Sequence, residues 1–189
     1  MSSYQTVFLD TNIILDAIEN RDKEVKKFVN MLVKAHNKER ILLSTSIFNI
    51  YELLDKQFEI SYYTECMKEK ISSDAIIRRR NNRDYFYCER SLRNKNKIIK
   101  KLDNFLEKSG LEIFYSTQSI DDRDILFKLL GDRGIRSQDA IILSCALDND
   151  TDCFLTSDGE LIRVVSDIIY AYNLTKAEDR DIILRTVLT

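Results

Sequence analysis

The chain has 189 residues, enough for one sizeable hydrophobic core, and we expect a single domain over 1–189 that contains an insertion at 61–110. Its content of 44% hydrophobic and 32% charged residues is ordinary for a folded globular protein and excludes a largely disordered chain. No apolar run approaches the roughly 20 residues of a membrane helix, and the start MSSYQTVFLD lacks the basic region of a secretory signal, so we expect a cytoplasmic protein without membrane contact.

The cysteines and the single histidine exclude several kinds of site. Cys66, Cys88, Cys145 and Cys153 have no CxxC spacing and His36 is remote from all of them, so no zinc site is expected. The thiols are expected to be reduced and structural. One histidine excludes a site built from several imidazoles, and the charged surroundings of His36 favour a solvated helix end.

In the amino-terminal third, apolar runs and helical spacing alternate. The run at 6–9 predicts a strand, and Asp10 begins a helix whose inner side carries apolar residues. A second helix fits 22–37, and a strand is predicted at 41–43. The cluster Ser44, Thr45 and Ser46 then supplies an N-cap for a helix through 58.

The rest of the chain continues the alternation after a polar, basic stretch. Helices are predicted at about 61–72 and 84–108, and a third at 119–130 is expected to end at Gly131 and Gly134. A buried helix is predicted at 137–147, and a last helix begins with a capping box at 175–178. Strands are predicted at 111–115 and 152–155. Strands alternating with helices favour parallel pairing, and therefore an α/β/α sandwich with a central, mostly parallel sheet.

Four acids fall where such a sheet places ligands, beyond the carboxyl ends of its strands. Asp10 and Asp158 follow predicted strands, Asp139 lies in the first turn of the buried helix, and Glu52 lies at the flank of a helix stripe. Each acid also has an ordinary structural interpretation. Asp10 could cap its helix, Asp139 could be favoured by the helix dipole, Asp158 could be a turn residue and Glu52 could be a solvated helix residue. Crowded carboxylates require a cation, and oxygen ligands alone select Mg²⁺ or Mn²⁺.

The motifs that carry these acids resemble a known family. The stretch VFLDTNIILD at 7–16, Ser46 followed by Glu52 and Leu53, the QDA triplet at 138–140 and FLTSDGE at 154–160 are similar to the PIN domain, the nuclease fold of VapC-type toxins and of RNA-processing factors. The resemblance covers about 6–162. The interval from Glu52 to Asp139 is longer than in compact toxin-type members, and Ser157 stands where Asn is common.

The resemblance implies an endoribonuclease that uses Mg²⁺ or Mn²⁺. Asp10, Glu52, Asp139 and Asp158 match the catalytic, metal-binding acids, and Glu160 matches a more variable fifth position. Thr11, Asn12 and Thr156 match polar residues that orient the carboxylates. A metal-activated water would attack the phosphate in line and release a 3′-hydroxyl and a 5′-phosphate. An antitoxin-like protein partner and a homodimer are compatible with the family.

A basic segment coincides with the long interval. Between Cys66 and Lys101 the chain has 12 Lys or Arg against 4 acids, so the remainder is strongly acidic. Clustered cations can contact phosphates and aromatic rings can stack on unpaired bases, which favours single-stranded RNA as a ligand. The alternative is a solvated basic helix. The candidate RNA-binding residues are Arg78, Arg79, Arg80, Arg83, Tyr85, Tyr87, Arg90 and Arg93.

Two other functions are weighed against this nuclease. A catalytically silent PIN-like module would bind RNA or a protein without cutting, and it is expected to lack one of the four acids, all of which are present. A haloacid-dehalogenase-like phosphatase also begins with a strand followed by Asp-x-Asp, but here the second position is Asn12. Hydrolysis of a small phosphate ester would distinguish it.

Overall fold

The computed structural model describes residues 4–81, 94–115 and 123–188, with the backbone alone at 79–81 and at 123–124. The chain forms two compact units, the first made of Met1–Ile50 with Lys108–Thr189 and the second of Tyr51–Glu107. Within the described ranges, no helix combines the length and the apolar character needed to cross a bilayer.

The first unit is built on five strands: β1 (Gln5–Leu9), β2 (Ile41–Ser46), β3 (Glu112–Phe114), β4 (Cys153–Thr156) and β5 (Ala171–Asn173). Their order is β3-β2-β1-β4-β5 and every neighbouring pair is parallel, which confirms the predicted sheet and makes it wholly parallel. Since β2 lies on one side of β1 and β4 on the other, the winding reverses between β1 and β4. A crevice beyond the carboxyl ends is expected at that point.

Helices of the first unit flank the sheet on both faces. Numbered along the described residues of both units, the helices of the chain are α1 (Thr11–Glu19), α2 (Lys23–His36), α3 (Ile47–Lys68), α4 (Ser73–Asn81), α5 (Lys95–Ser109), α6 (Arg123–Phe127), α7 (Ser137–Asp148), α8 (Gly159–Val165) and α9 (Ala177–Thr186). Residues of α7 and α8 share a core with Phe8 and Phe154, whose rings stack with centroids 5.5 Å apart. Val7 and Leu9 alternate to the opposite face, and α1 and α2 contact β4 and β2.

The predicted N-cap cluster lies in a strand instead. Thr45 Oγ1 donates to the carbonyl of Leu9 at 2.9 Å and Ser44 Oγ donates to that of Val7 at 3.3 Å. The two bonds satisfy the buried hydroxyl groups of Ser44 and Thr45 inside the sheet, where β2 extends to Ser46. Ser46 keeps a capping role because its Oγ accepts the Asn49 N–H at 3.2 Å.

Several helix boundaries also differ from prediction. The chain has no Gly or Pro between 44 and 72, and α3 accordingly runs from Ile47 to Lys68 where two helices were predicted. Gly131 does not end its helix but lies inside a π-helical turn, Lys128–Asp132. The prediction of a capping box at 175–178 is wrong. Helix α9 begins after Lys176, which makes no side-chain cap hydrogen bond, and Thr175 Oγ1 donates to Asn173 Oδ1 instead.

His36 is not simply solvated, contrary to expectation. It is the last residue of α2, but its ring is half-buried, with Nε2 lying 2.9 Å from the Gly110 carbonyl oxygen and Nδ1 3.2 Å from the Leu43 nitrogen. Gly110 has a φ of +59°, a conformation that L side chains rarely adopt. The imidazole therefore joins the end of α2 to β2 and to the segment before β3.

The second unit contains most of α3 together with α4 and most of α5. Tyr62 and Cys66 are fully buried in its core, where Ile71 and Ile76 pack against them. Of the helix predicted at 84–108, the structure shows the part from Lys95 onward, which continues to Ser109. Residues 82–93 lie outside the described ranges.

Candidate active site

Asp10 directly follows β1 and is only 7% exposed. Its Oδ1 accepts the Thr11 N–H at 2.7 Å, which caps α1, and its Oδ2 accepts the Thr156 hydroxyl at 2.6 Å. Weaker amide contacts come from Asn49 at 3.4 Å and Asn12 at 3.5 Å. Asp10 therefore caps α1 while its other oxygen is held by Thr156, and Thr11 contributes its backbone N–H to the carboxylate. Donors from three elements fix the direction of this carboxylate.

Asn49 is a site residue that the sequence analysis missed. It is fully buried on the first turn of α3, and its Nδ2 donates to Thr11 Oγ1 at 3.0 Å as well as lying near Asp10. Its Oδ1 accepts a short hydrogen bond from the Ser46 hydroxyl. The available signal was the Ser46-x-x-Asn49 spacing, which departs from the usual capping box because Asn replaces an acid or Gln.

Thr156 connects the ends of β1 and β4. Its hydroxyl donates to Asp10 and accepts the Asp158 N–H at 3.0 Å. Asp158 in turn caps α8, where its Oδ1 accepts the N–H groups of Glu160 and Leu161 at 2.9 and 3.0 Å. The other oxygen, Oδ2, has no hydrogen-bond partner among the described residues. Asp158 is exposed, so this oxygen can accept a ligand.

Asp139 and Asp158 line the same cavity, which has a volume of about 340 Å³. Asp139 lies in the first turn of α7, as predicted, and is half-buried. Glu160 also lines the cavity, together with the arginines Arg133, Arg136 and Arg163. Acidic and basic side chains therefore face one space at the carboxyl edge of the sheet.

Three of the four predicted acids lie in the first unit, where Asp139, Asp158 and Glu160 share a cavity and Asp10 is joined to Asp158 through Thr156. Glu52 is half-buried on α3 and belongs to the second unit. Across residues 4–81, 94–115 and 123–188, no three His, Cys, Asp or Glu side chains form a group that could hold a metal ion. Mg²⁺ commonly binds through one or two carboxylates and several waters, and Asp139 and Asp158 fit that donor set.

The candidate RNA-binding residues are described only at their start. Arg78 is exposed on α4, and Arg79 and Arg80 continue the same helix. The remaining candidates lie outside the described residues: Arg83, Tyr85, Tyr87, Arg90 and Arg93.

Two buried thiols, Cys145 and Cys153, can be excluded as nucleophiles. Burial raises the pKa of Cys145 to about 11 and raises the pKa of Cys153 far above its usual range, so both remain protonated at neutral pH. Cys66, Cys145 and Cys153 are buried thiols, in agreement with the structural role expected for them. Cys88 lies outside the described residues.

Comparison with known proteins decides the family. The sequence model of the PIN domain matches residues 7–166, a span that includes all four predicted acids. The chain belongs to the PIN domain family. This confirms the resemblance inferred from the motifs. A comparison with curated proteins finds no match to this PIN domain.

Solved structures show the same fold at low identity. One is VapBC2 from Rickettsia felis bound to a DNA fragment from its promoter, with 19% identity, a TM-score of 0.55, and coverage of 89% of this chain and 98% of that chain. Another is VapBC-1 from nontypeable Haemophilus influenzae, with 16% identity, a TM-score of 0.50, and coverage of 91% and 100%. At these identities the likeness concerns the fold alone.

Proposed function

We propose that this PIN domain is a Mg²⁺- or Mn²⁺-dependent endoribonuclease that cleaves single-stranded RNA. The arrangement of Asp10 supports the proposal, because a buried carboxylate is fixed at the winding reversal of the sheet and tied through Thr156 to Asp158. Asp158 shares its cavity with Asp139. Membership of a family typified by nucleases supports hydrolysis of a phosphodiester.

Asp139 and Asp158 would hold the divalent ion, with Asp10 beside them. Glu52 is proposed as a fourth acid from the sequence pattern. When bound, the ion would supply an activated water and offset the charge of the phosphate. Attack of that water on phosphorus would break the bond between phosphorus and the 3′ oxygen, and would yield a 3′-hydroxyl and a 5′-phosphate.

The chain's own contribution is orientation. Both oxygens of Asp10 accept hydrogen bonds, so its carboxylate keeps one direction while substrate exchanges. Asn49 holds Thr11 and Ser46 together beside it. Asp158 uses one oxygen to cap α8 and presents the other to solvent. Such pre-orientation reduces the reorganisation needed in the transition state.

Replacing Asp10 by Asn tests the proposal. Asn keeps the shape of the side chain but puts an NH₂ group where an oxygen accepts from Thr11 or Thr156, and it removes the negative charge. Cleavage of a labelled single-stranded RNA should fall about a hundredfold to ten-thousandfold, and EDTA should abolish wild-type cleavage.

The matched control is Asp150→Asn. Asp150 is exposed just after α7, and its φ of +49° suits Asn. This variant should cut like the wild type. Full activity of Asp10→Asn, or of the wild type in EDTA, would exclude the proposed metal-carboxylate chemistry.

We also propose an antitoxin-like protein partner. Both solved relatives named above are VapBC structures, and one of them includes promoter DNA. A partner that covers the carboxyl edge would inhibit cleavage. Homodimerisation stays a prediction from the family. The silent-module alternative would be supported if the protein bound RNA but cut none with either ion.

A further inference from the structure

The cavity that holds Asp139 and Asp158 also contains cations whose role the proposed chemistry does not assign. Three arginines line it: Arg133, Arg136 and Arg163. They differ in their bonding, and this difference indicates which of them can bind a ligand.

Arg133 makes three hydrogen bonds within the protein. Its Nη1 and Nη2 each donate to a carboxylate oxygen of Asp167 at 2.7 Å, and Nη1 also donates to the Val164 carbonyl at 2.6 Å. A guanidinium bound in this bidentate way has little capacity left for a ligand. Arg133 therefore shapes the cavity wall.

Arg136 and Arg163 are available. Arg136 is exposed immediately before α7, and Arg163 is exposed on α8. Neither guanidinium has an ion-pair or hydrogen-bond partner in the described part of the chain. Two cations thus enter the cavity from different helices, on the same side of the sheet as the acids.

Their charge changes what the cavity can accept. Asp139, Asp158 and Glu160 alone would repel a phosphodiester, but two unpaired guanidinium groups offset most of that negative charge. A guanidinium group also matches the geometry of phosphate oxygens, to which it can donate two hydrogen bonds.

We propose that Arg136 and Arg163 bind phosphates of the substrate strand next to the one that is cleaved. They act as positioning residues that hold single-stranded RNA across Asp139 and Asp158. This assignment rests on the proposed nuclease function, but binding can be measured without cleavage.

The test is binding of a fluorescently labelled single-stranded oligoribonucleotide in EDTA, measured by anisotropy over a range of salt concentrations. For single strands, each phosphate contact contributes about 0.7 to the slope of log K against log[salt]. Arg136→Gln and Arg163→Gln should each reduce the slope by about 0.7, and the double variant by about 1.4. Lys at either position should restore most of the slope, because it keeps the charge.

The matched control is Arg40→Gln. Arg40 is exposed just before β2, at the opposite edge of the sheet, and loses the same charge. Its slope should equal that of the wild type. If the double variant shows the Arg40→Gln slope while its circular dichroism remains native, the proposal is wrong.

Kinetics separate this proposal from the nuclease function itself. With Mg²⁺ or Mn²⁺, the arginine variants should raise KM about tenfold and leave kcat within about twofold. A wild-type protein that binds RNA with the expected arginine dependence but never cuts it would overturn the nuclease proposal and leave the binding site standing. Loss of kcat with unchanged KM would overturn the positioning role.

Discussion

At the scale of single residues, the side chains that orient the Asp10 carboxylate by hydrogen bonds are neutral. Thr156 and Asn49 carry no charge, yet they connect Asp10 to β4 and to the first turn of α3. Both are fully buried. A buried polar group is costly unless it is bonded, so a network in which each member satisfies another is stable only in one arrangement. That requirement makes the carboxylate rigid.

Asn49→Ala should damage both stability and activity. The change leaves the Ser46 and Thr11 hydroxyl groups without their shared partner, which should lower the free energy of unfolding by about 1–3 kcal/mol. Urea unfolding and the kcat for RNA cleavage measure the two effects. Asn30→Ala is the control, since Asn30 is exposed on α2. An activity loss in Asn30→Ala equal to that in Asn49→Ala would contradict the network.

At the scale of elements, the pair Arg133–Asp167 ties the loop before α7 to the segment after α8. The two helices next to these segments, α7 and α8, carry Asp139 and Arg163 into the cavity. Mutual hydrogen bonding raises the pKa of Arg133 and lowers the pKa of Asp167 from its usual value of 3.8. The two directions agree, as expected for a direct ion pair.

The stabilising effect of this pair should depend on pH with a definite sign. Because the folded-state pKa of Asp167 is lowered, its contribution is present above the unfolded value of 3.8 and is lost as the pH falls through the lower folded value. Asp167→Asn should therefore reduce the urea midpoint at about pH 7, and the difference from wild type should shrink towards about pH 3. Asp150→Asn should show no such pattern. A constant difference at every pH would argue against the ion pair.

At the scale of the whole molecule, the basic segment and three of the four predicted acids belong to different units of the chain. Asp10, Asp139 and Asp158 belong to the first unit, and Arg78 lies on α4 of the second. An acidic body attracts divalent ions but repels RNA, whereas a basic segment attracts RNA. Affinity and cleavage should therefore be separable by mutation.

Replacing Arg78, Arg79 and Arg80 by Gln tests this separation. The triple variant should weaken RNA binding and flatten its salt dependence by up to about 2, at about 0.7 for each lost phosphate contact, while kcat at saturating RNA stays near wild type. The control replaces Lys23, Lys26 and Lys27 on α2, which removes the same charge from the first unit. Equal salt slopes in the two triple variants would favour the solvated basic helix.

Much of the architecture followed from local pattern. Apolar runs located four of the five strands, and helical spacing located α1, α2 and α7, because burial imposes a period of 2 or 3.6 on the sequence. The acids after those strands and the polar residues beside them identified the family. The missed strand, β5, has only three residues, and the apolar run IIYAY at 168–172 that leads into it was not recognised as a strand. The continuous α3 was missed because a polar composition was mistaken for a break.

The sequence by itself determined the order of most elements and the PIN family, and it supplied the candidate acids, because each depends on neighbours within a few positions. Only the tertiary structure decided which donors hold Asp10, and which arginine of the cavity is already bound. Thr156 reaches Asp10 across 146 positions because β4 pairs with β1 in one register, with Leu155 opposite Leu9. The alternation along each strand assigns its side chains to one face of the sheet, but the pairing of two strands so far apart in the sequence results from packing the whole sheet at once.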